Sequence, residues 1–378
     1  MERLKQLSST AKNRLLSLAS SKATMVKVIV YLILAVIIIG LFVYINNKLK
    51  LRSTDCLALS DMYPDAPTIA TMSDFKGKHS HALRDYYIKS SYNSCNPGEV
   101  KNAYVDLCAL DNAIKQGCRV LDFAVYSING KACVASSTSA SYDVKDTYNS
   151  IEIGDVMKRV RDRAFSGAHC SNSGDPLILH FRIMSAYPHV ADDIASALST
   201  NLGSRTLGSK YSNQFGGQNL GALPIETFMG KAIICVDKSN DVYMGTKLDE
   251  WINICSNSPF LRGVRFSQVK FSHDTNELTE FNKKNMTIVM PDKTNNITNP
   301  ASALCMHYGC QMTAMAMQKQ SANLTSYNNK FNQEGYAFIL KPENLRYKPV
   351  TIDIPAPPPQ SYSYAQRQSS TDFYSFTI

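Results

Sequence analysis

The chain has 378 residues and a formal net charge of +9. This length can hold one large domain or two ordinary ones, and it is sufficient to bury a substantial core. The charge is moderate and no basic run is interleaved with aromatic residues, so the composition gives no sign of nucleic-acid binding.

The N-terminal part of the chain reads as a membrane anchor. Residues 1–24 are polar and basic, and a continuous apolar run follows from Val28 to Ile45. The run is long enough to cross a bilayer, and Tyr31 and Tyr44 lie near its ends. A cleaved signal peptide would have a shorter apolar region followed by small residues. We therefore predict a cytoplasmic segment at 1–24 and a retained single-pass transmembrane helix at 26–46.

Charge and cysteine placement predict the orientation. Lys and Arg are more numerous before the apolar run than just after it, which favours a cytoplasmic N-terminus and an extracellular or lumenal remainder, as on a virion or cell surface. All ten cysteines follow the run, as expected in an oxidising compartment. We expect at least one disulfide, with Cys56 and Cys95 as candidates of unknown partner. Three N-glycosylation acceptor sequences also follow the run, at Asn285, Asn296 and Asn323.

Strand-like and helix-like segments alternate over residues 53–350, which indicates a parallel sheet with crossover helices. Strands are predicted at Tyr86–Ser90, Val120–Tyr126, Leu177–Ile183, Ala232–Val236, Gly263–Phe271, Thr287–Met290, Met312–Met317 and Ala337–Lys341. Helices are predicted at Ala103–Gln116, Ile153–Phe165, His189–Leu202, Leu248–Cys255 and Glu277–Asn285. About eight strands in one domain fit a β/α barrel. The alternative is an open doubly wound sheet, although no glycine-rich loop indicates a nucleotide.

The C-terminal residues have a different composition. The segment 351–378 begins with a proline-rich stretch and continues with many Ser and Tyr residues. Such a composition cannot bury much apolar surface, so we predict a disordered tail.

One carboxylate stands out inside a predicted buried strand. Asp122 lies in the run GCRVLDFAVY, from Gly117 to Tyr126. A buried carboxylate is costly unless it is paired or coordinated. Asp122 is therefore either paired with a neighbouring arginine, Arg119 or Arg182, or part of a functional site.

Several segments, in chain order, carry a resemblance to a known family. Examples are SSYNSC at 90–95, GCRVLDFAVY at 117–126, PLILHFRI at 176–183 and YGCQMTAMAMQ at 308–318. They resemble SSHNTY, GCRxxELDxW, PVILSLEN and GCQMVALNFQ of the phosphatidylinositol-specific phospholipase C family. The resemblance covers both halves of that family's barrel, X-like at about 80–239 and Y-like at about 263–346. It implies an α/β fold, a distorted (β/α)8 TIM-type barrel, and phosphoric diester hydrolysis with two histidines and calcium.

The catalytic positions implied by the resemblance are degenerate. Tyr92 and Ala135 stand where the family has its two histidines. A phenol, with a pKa near 10, does not easily replace an imidazole that titrates near neutrality, and a methyl group cannot replace it at all. We therefore do not expect these positions to be active.

The implied ligand positions are also changed. Asn93 remains, Asp122 is a shortened acid, and Ala124 and Arg182 replace the other acidic calcium ligands. Calcium prefers six to eight oxygen ligands, several of them anionic, so we expect calcium binding to be lost and no cofactor to replace it. For substrate binding, the resemblance leaves Ser272, Lys293 and Arg182 as candidates. Arg182 either pairs with Asp122 or presents a fork suited to an anion.

The sequence thus predicts a membrane-anchored, phospholipase C-like barrel that is a catalytically inactive pseudoenzyme serving as a binding or structural module. The alternative is an atypical phosphoric diester hydrolase acting on phosphatidylinositol-type lipids or glycolipids. The expected partners are the membrane, through the anchor, and a phosphate or inositol-lipid headgroup. The sequence does not identify a protein partner.

Overall fold

The computed structural model describes residues 9–10, 12–14, 22–65, 67, 69–72, 81–349 and 365–377. The chain divides into two units, Met1–Arg346 and Tyr347–Ile378. Within the described residues of the second unit, two short strands, Gln368–Ser370 and Ser375–Thr377, pair antiparallel and are largely exposed. Most of the predicted proline-rich stretch lies outside the described residues, so the disorder of the tail stays a prediction.

A barrel of parallel strands surrounded by helices forms most of the first unit. The strands are β1 (Tyr86–Ser91), β2 (Val120–Ile128), β3 (Lys131–Val134), β4 (Ile151–Glu152), β5 (Leu177–Ile183), β6 (Ala232–Asp237), β7 (Ile254–Ser256), β8 (Leu261–Arg265), β9 (Met286–Met290), β10 (Met312–Met315) and β11 (Phe338–Leu340). The helices are α1 (Lys22–Met62), α2 (Leu107–Lys115), α3 (Ile153–Ala164), α4 (His189–Leu202), α5 (Phe266–Lys270), α6 (Thr275–Lys284), α7 (Ser302–His307) and α8 (Ala322–Glu334), with a left-handed turn at Ser212–Gly216.

The parallel strands follow the order β7-β6-β5-β2-β1-β10-β9-β8 and almost close on themselves. The remaining seam lies between β7 and β8, which the described ladders do not join. Strand β11 pairs antiparallel with the beginning of β1, and β3 folds back on β2 as a hairpin. The predicted TIM-type barrel is therefore confirmed, and the open doubly wound alternative is wrong.

Alternation along each strand separates two apolar layers. Val120 of β2 and Ile178 of β5 belong to the cluster inside the barrel, whereas Leu121 and Leu179 belong to the cluster beneath the helices. Asp122 is two residues after Val120 and therefore points to the interior. The register pairs it with His180 on β5.

Helix α1 is longer than the predicted transmembrane span. It begins at Lys22 and ends at Met62, and it is long and apolar enough to cross a membrane. Its side chains are exposed over residues 25–47, after which Lys48, Leu51, Asp55, Leu59 and Met62 are partly or fully buried. This spacing of three and four residues is one helix face, and it packs on the barrel. Residues 53–62, predicted as the start of the barrel, instead continue α1.

Two predicted elements are wrong in type. The predicted strand Gly263–Phe271 stops at Arg265 and continues as α5. The predicted helix Leu248–Cys255 is a 3-10 turn, Asp249–Trp251, followed by β7. A short buried apolar run has no periodicity that separates strand from helix, and the parallel sheet decides its conformation.

Candidate functional site

Polar groups from three neighbouring strands meet inside the barrel near the carboxyl ends of the strands. Asp122 projects from β2, and His180 and Arg182 project from β5 at the same levels, because the register aligns Asp122 with His180 and Ala124 with Arg182. Asn93 lies two residues after the end of β1. It has a positive φ of 43°, a conformation that asparagine tolerates better than most residues, and its N–H donates to Asp122 Oδ2 at 3.0 Å.

Asp122 and Arg182 form a bidentate ion pair. Arg182 Nε donates to Asp122 Oδ1 and Nη2 donates to Oδ2, each at 2.8 Å. Arg182 Nη2 also donates to Asn93 Oδ1 at 2.5 Å. Both side chains are buried. Of the two arginines considered as partners, Arg182 is the one that pairs, whereas Arg119 donates to the Ala164 carbonyl and to Asn172 Oδ1, away from Asp122.

The pair holds both groups in their charged forms. Burial alone would raise the pKa of Asp122, but the Arg182 charge and the hydrogen bonds from His180 and Arg182 outweigh it and keep this pKa well below its ordinary value. Burial alone would lower the pKa of Arg182, but the Asp122 charge outweighs it and raises this pKa. The ion pair is therefore stable across the physiological pH range.

The structure contains a Ser–His–Asp alignment that the spacing of these residues in the sequence did not indicate. His180 Nδ1 lies 2.9 Å from Asp122 Oδ1, and His180 Nε2 lies 2.9 Å from Ser256 Oγ. All three residues are buried. A nucleophilic serine must reach a substrate, and Asp122 is already neutralised by Arg182. The alignment is thus a chain of hydrogen bonds that links β2, β5 and β7 inside the barrel.

The two positions of the family histidines are filled differently. Tyr92 is buried, and the guanidiniums of Arg182 and Arg265 lie 5.0 and 5.9 Å from the centre of its ring. Arg265 Nη1 also donates to the Tyr92 hydroxyl at 3.4 Å. Ala135 is buried in a small apolar cluster with Ala124 and other side chains. The pocket that imidazoles would need is occupied by an aromatic ring and methyl groups.

The residues at the calcium positions that the resemblance implies do not fit calcium. Arg182 contacts both Asp122 oxygens and the Asn93 amide oxygen, so the available oxygen ligands already have a cationic donor. Ala124 offers no oxygen from its side chain. A divalent cation would have to displace a paired guanidinium from a buried position, with one anionic ligand in return. No calcium-dependent step can be derived for this arrangement.

Lys293 lies near this cluster, and Ser272 makes only a local contact. Burial lowers the pKa of Lys293, and repulsion from Arg265 and Arg182 lowers it further. Its Nζ donates to the Ser139 carbonyl at 3.4 Å. The hydroxyl of Ser272 donates to the Asp274 carbonyl, in the same loop. Arg265, at the end of β8, was missed by the sequence analysis, although an arginine that ends a barrel strand was the available signal.

One segment lies across the mouth of the barrel, which is the end where the parallel strands have their carboxyl ends. This mouth segment, residues 135–150, follows β3 and contacts loops that leave several other strands. Asp143 N–H donates to the Met184 carbonyl after β5, and Tyr148 N–H donates to the Ala103 carbonyl after β1. Tyr142 Oη donates to the Ser239 carbonyl after β6. The mouth segment therefore crosses the end of the barrel at which barrel enzymes bind substrates.

Comparisons with known proteins support the resemblance. The Y domain of phosphatidylinositol-specific phospholipase C matches residues 254–344. No curated protein sequence matches the chain. Among solved structures, PLC21 of L. pealei and PLC21 of S. officinalis are each 15% identical over 72% of this chain, with TM-scores of 0.60 and 0.56. The chain spans 38% of the length of each. A calcium-dependent phosphoinositol-specific phospholipase C from Pseudomonas sp. is 9% identical, covers 72% of this chain and 98% of its own, and has a TM-score of 0.40. The resemblance drawn from the sequence is confirmed, and at these identities the solved structures establish the fold alone.

Proposed function

We propose that this protein is a membrane-anchored, catalytically inactive phospholipase C-like barrel that serves as a binding module for phosphate-bearing headgroups. One observation carries the proposal: the Arg182 guanidinium binds both oxygens of Asp122 and the side-chain oxygen of Asn93, where the resemblance implies a metal. An internal ion pair takes the place of the group that would stabilise a phosphorane.

The side chains at the two implied histidine positions are also unsuited to the proton transfers of phosphodiester cleavage. Phosphodiester cleavage by an internal hydroxyl needs a base at that hydroxyl and an acid at the leaving oxygen. Tyr92 is buried with the guanidiniums of Arg182 and Arg265 near its ring, and Ala135 has no proton to exchange. His180 is buried and bonded on both ring nitrogens, so it does not replace them.

The cations at the mouth support anion binding. Arg265 and Lys293 lie close enough to repel one another, whereas the charge of Arg182 is balanced by its ion pair with Asp122. Such repulsion is relieved when a phosphate oxygen binds between the cations. The chemistry suits a phosphate or an inositol-lipid headgroup, with Ser272 retained as a candidate contact from the sequence alone.

The topology forms the second part of the proposal. The N-terminus is cytoplasmic, α1 spans the membrane, and the barrel is extracellular or lumenal. The bond between Cys56 and Cys108 supports an oxidising compartment. Protease added to closed vesicles should remove only the short basic end, and digestion of the barrel with protection of the N-terminus would contradict this orientation.

The function is tested on the full chain reconstituted in vesicles. Phosphatidylinositol hydrolysis should be absent with calcium and with a chelator. Inositol phosphates should bind, and the double variant Arg265→Ala/Lys293→Ala should bind them more weakly. Lys158→Ala, which removes an exposed charge from α3, serves as the control. Hydrolysis that depends on Tyr92 or Lys293 would support the atypical hydrolase instead.

A further inference from the structure

The second half of α1 runs along the outside of the barrel, parallel to α2. Three contacts advance together along the two helices. Arg52 Nε donates to Asp106 Oδ2 at 2.5 Å, Cys56 is bonded to Cys108, and Lys115 Nζ donates to the Tyr63 carbonyl at 3.4 Å. Residue numbers rise in the same direction on both sides, so the helices are parallel.

This direction determines which end of the barrel faces the apolar half of α1. Helix α2 follows the carboxyl end of β1 and precedes the amino end of β2, so it runs from the mouth to the opposite end. A parallel α1 runs the same way. Its apolar half, which comes first in the chain, therefore extends beyond the mouth rather than beyond the opposite end.

Direct contacts show which part of the barrel lies beside the point where the apolar half of α1 ends. Lys48 is three residues after Ile45, the end of the apolar run, or about 4.5 Å along the helix axis. Its Nζ lies 3.5 Å from the Asn102 carbonyl oxygen and 5.8 Å from the ring centres of both Tyr44 and Tyr148. Tyr148, in the mouth segment, thus lies level with the end of the apolar run.

The same end of the barrel carries exposed apolar side chains. Within residues 81–346, six large hydrophobic side chains are exposed: Tyr142, Val144, Tyr148, Tyr187, Met244 and Phe271. Tyr187, Met244 and Phe271 lie in connections that follow the carboxyl ends of the parallel strands β5, β6 and β8. Tyr142, Val144 and Tyr148 lie in the mouth segment, which contacts the loops after β5 and β1 at the same end. Exposed apolar groups gathered on one face mark an interaction surface, and tyrosine is favoured at the boundary between water and lipid.

We propose that the mouth of the barrel lies against the bilayer that α1 spans, with Tyr142, Val144 and Tyr148 in the headgroup region. This inference rests on the anchoring in the proposed function and adds an orientation to it. The Cys56–Cys108 bond and the helical path fix the barrel at the membrane surface rather than tether it by a flexible linker. Arg265 and Lys293 then face lipid phosphates, so the ligand of the proposed binding site is a headgroup in the plane of the bilayer.

The test places a single tryptophan at the mouth of the full chain. The native Trp251 is first replaced by Phe, and Tyr148→Trp or Val144→Trp is added before reconstitution in phosphatidylcholine vesicles. We expect blue-shifted emission that lipids brominated near the headgroup quench strongly. Gln333→Trp, exposed near the end of α8 at the opposite end of the barrel, is the matched control and should be quenched little.

Two readouts separate the orientation from the anchoring. Alkaline extraction of the same vesicles reports whether the chain is embedded. An embedded chain whose mouth tryptophans resemble Gln333→Trp overturns the orientation and leaves the anchoring intact. Blue-shifted emission without quenching by lipid also overturns it, because a protein surface then covers the mouth. A chain released by alkali overturns both proposals.

Discussion

Replacing Arg182 by alanine tests whether the ion pair is structural. The substitution leaves Asp122 buried, with hydrogen bonds only from His180 and from the Asn93 N–H. Removing one partner of a buried ion pair typically costs about 3–5 kcal/mol, because the other charge stays buried without compensation. We expect the free energy of unfolding to fall by this amount.

A double variant separates the lost pair from the lost volume. Arg182→Met with Asp122→Asn keeps two side chains of similar size. The amide oxygen can accept from the Asn93 N–H, and the amide NH2 can donate to His180 Nδ1 in the tautomer protonated on Nε2. Because no buried charge remains, the double variant should recover much of the stability lost by the single variant. Lys330→Ala, which removes a lysine from an exposed pair with Glu334, is a control and should cost no more than about 1 kcal/mol.

The pH dependence gives an independent check. The pKa of Asp122 is lowered in the folded protein, so its contribution to stability is complete above about pH 4 and is lost as the pH falls below it. In Arg182→Met, burial is no longer outweighed by the guanidinium. The pKa of Asp122 should then lie above its unfolded value, and this carboxyl should add stability as the pH falls.

The assay is denaturant unfolding of the full chain in detergent, followed by the fluorescence of Trp251. The ion-pair interpretation requires a lower midpoint for Arg182→Ala and recovery in the double variant. If Arg182→Ala leaves the midpoint unchanged but abolishes inositol phosphate binding, Arg182 is an anion ligand and the interpretation is wrong.

Four further predictions concern other parts of the molecule. Millimolar calcium should leave Tm unchanged, whereas a shift abolished by chelator would reveal a surviving site. Burial lowers the pKa of Lys89 to about 8, so Lys89→Met should stabilise the fold by about 2–3 kcal/mol at pH 7, and the native rise in stability between pH 8 and 10 should disappear from its denaturant curves. Cys108→Ser removes the disulfide to Cys56, which closes a loop of 52 residues, and should lower the free energy of unfolding by about 4 kcal/mol through loop-closure entropy. An unchanged Tm after reduction of the native chain would contradict this prediction. In a secretory host, mass spectrometry should find glycan on exposed Asn296 before Asn323, whose amide donates to the Asn299 carbonyl; the absence of glycan from every acceptor would argue against a lumenal barrel.

The sequence predicted the barrel because long elements with clear patterns define it. The strand Leu177–Ile183 and the helix His189–Leu202 have the bounds that were predicted. Short segments were harder, as β7 shows: Asn253 Nδ2 and Oδ1 bond to backbone groups of distant segments and hold the strand in place. Such contacts become visible only when the neighbouring strand is known.

The candidate site was only partly legible from the sequence. The sequence indicated that Asp122 needs a partner, but it did not choose between Arg119 and Arg182. Ser256 and Arg265 lie far from Asp122 and Arg182 in the chain, and the folding of the strands into a barrel brings the four residues into one region. The disulfide partner of Cys56 was hidden for the same reason, and Cys95, the other candidate, is a buried free thiol.

Phosphatidylinositol turnover by the reconstituted full chain tests the central claim most directly. Release of inositol phosphate is measured from vesicles with calcium and with chelator, and an added active phospholipase C confirms that the lipid is accessible. We predict no release above the protein-free background in either condition, because Arg182 binds the oxygens of the metal position that the resemblance implies, and Tyr92 and Ala135 stand at the two histidine positions that it implies. Calcium-dependent release that Asp122→Asn abolishes would contradict the account.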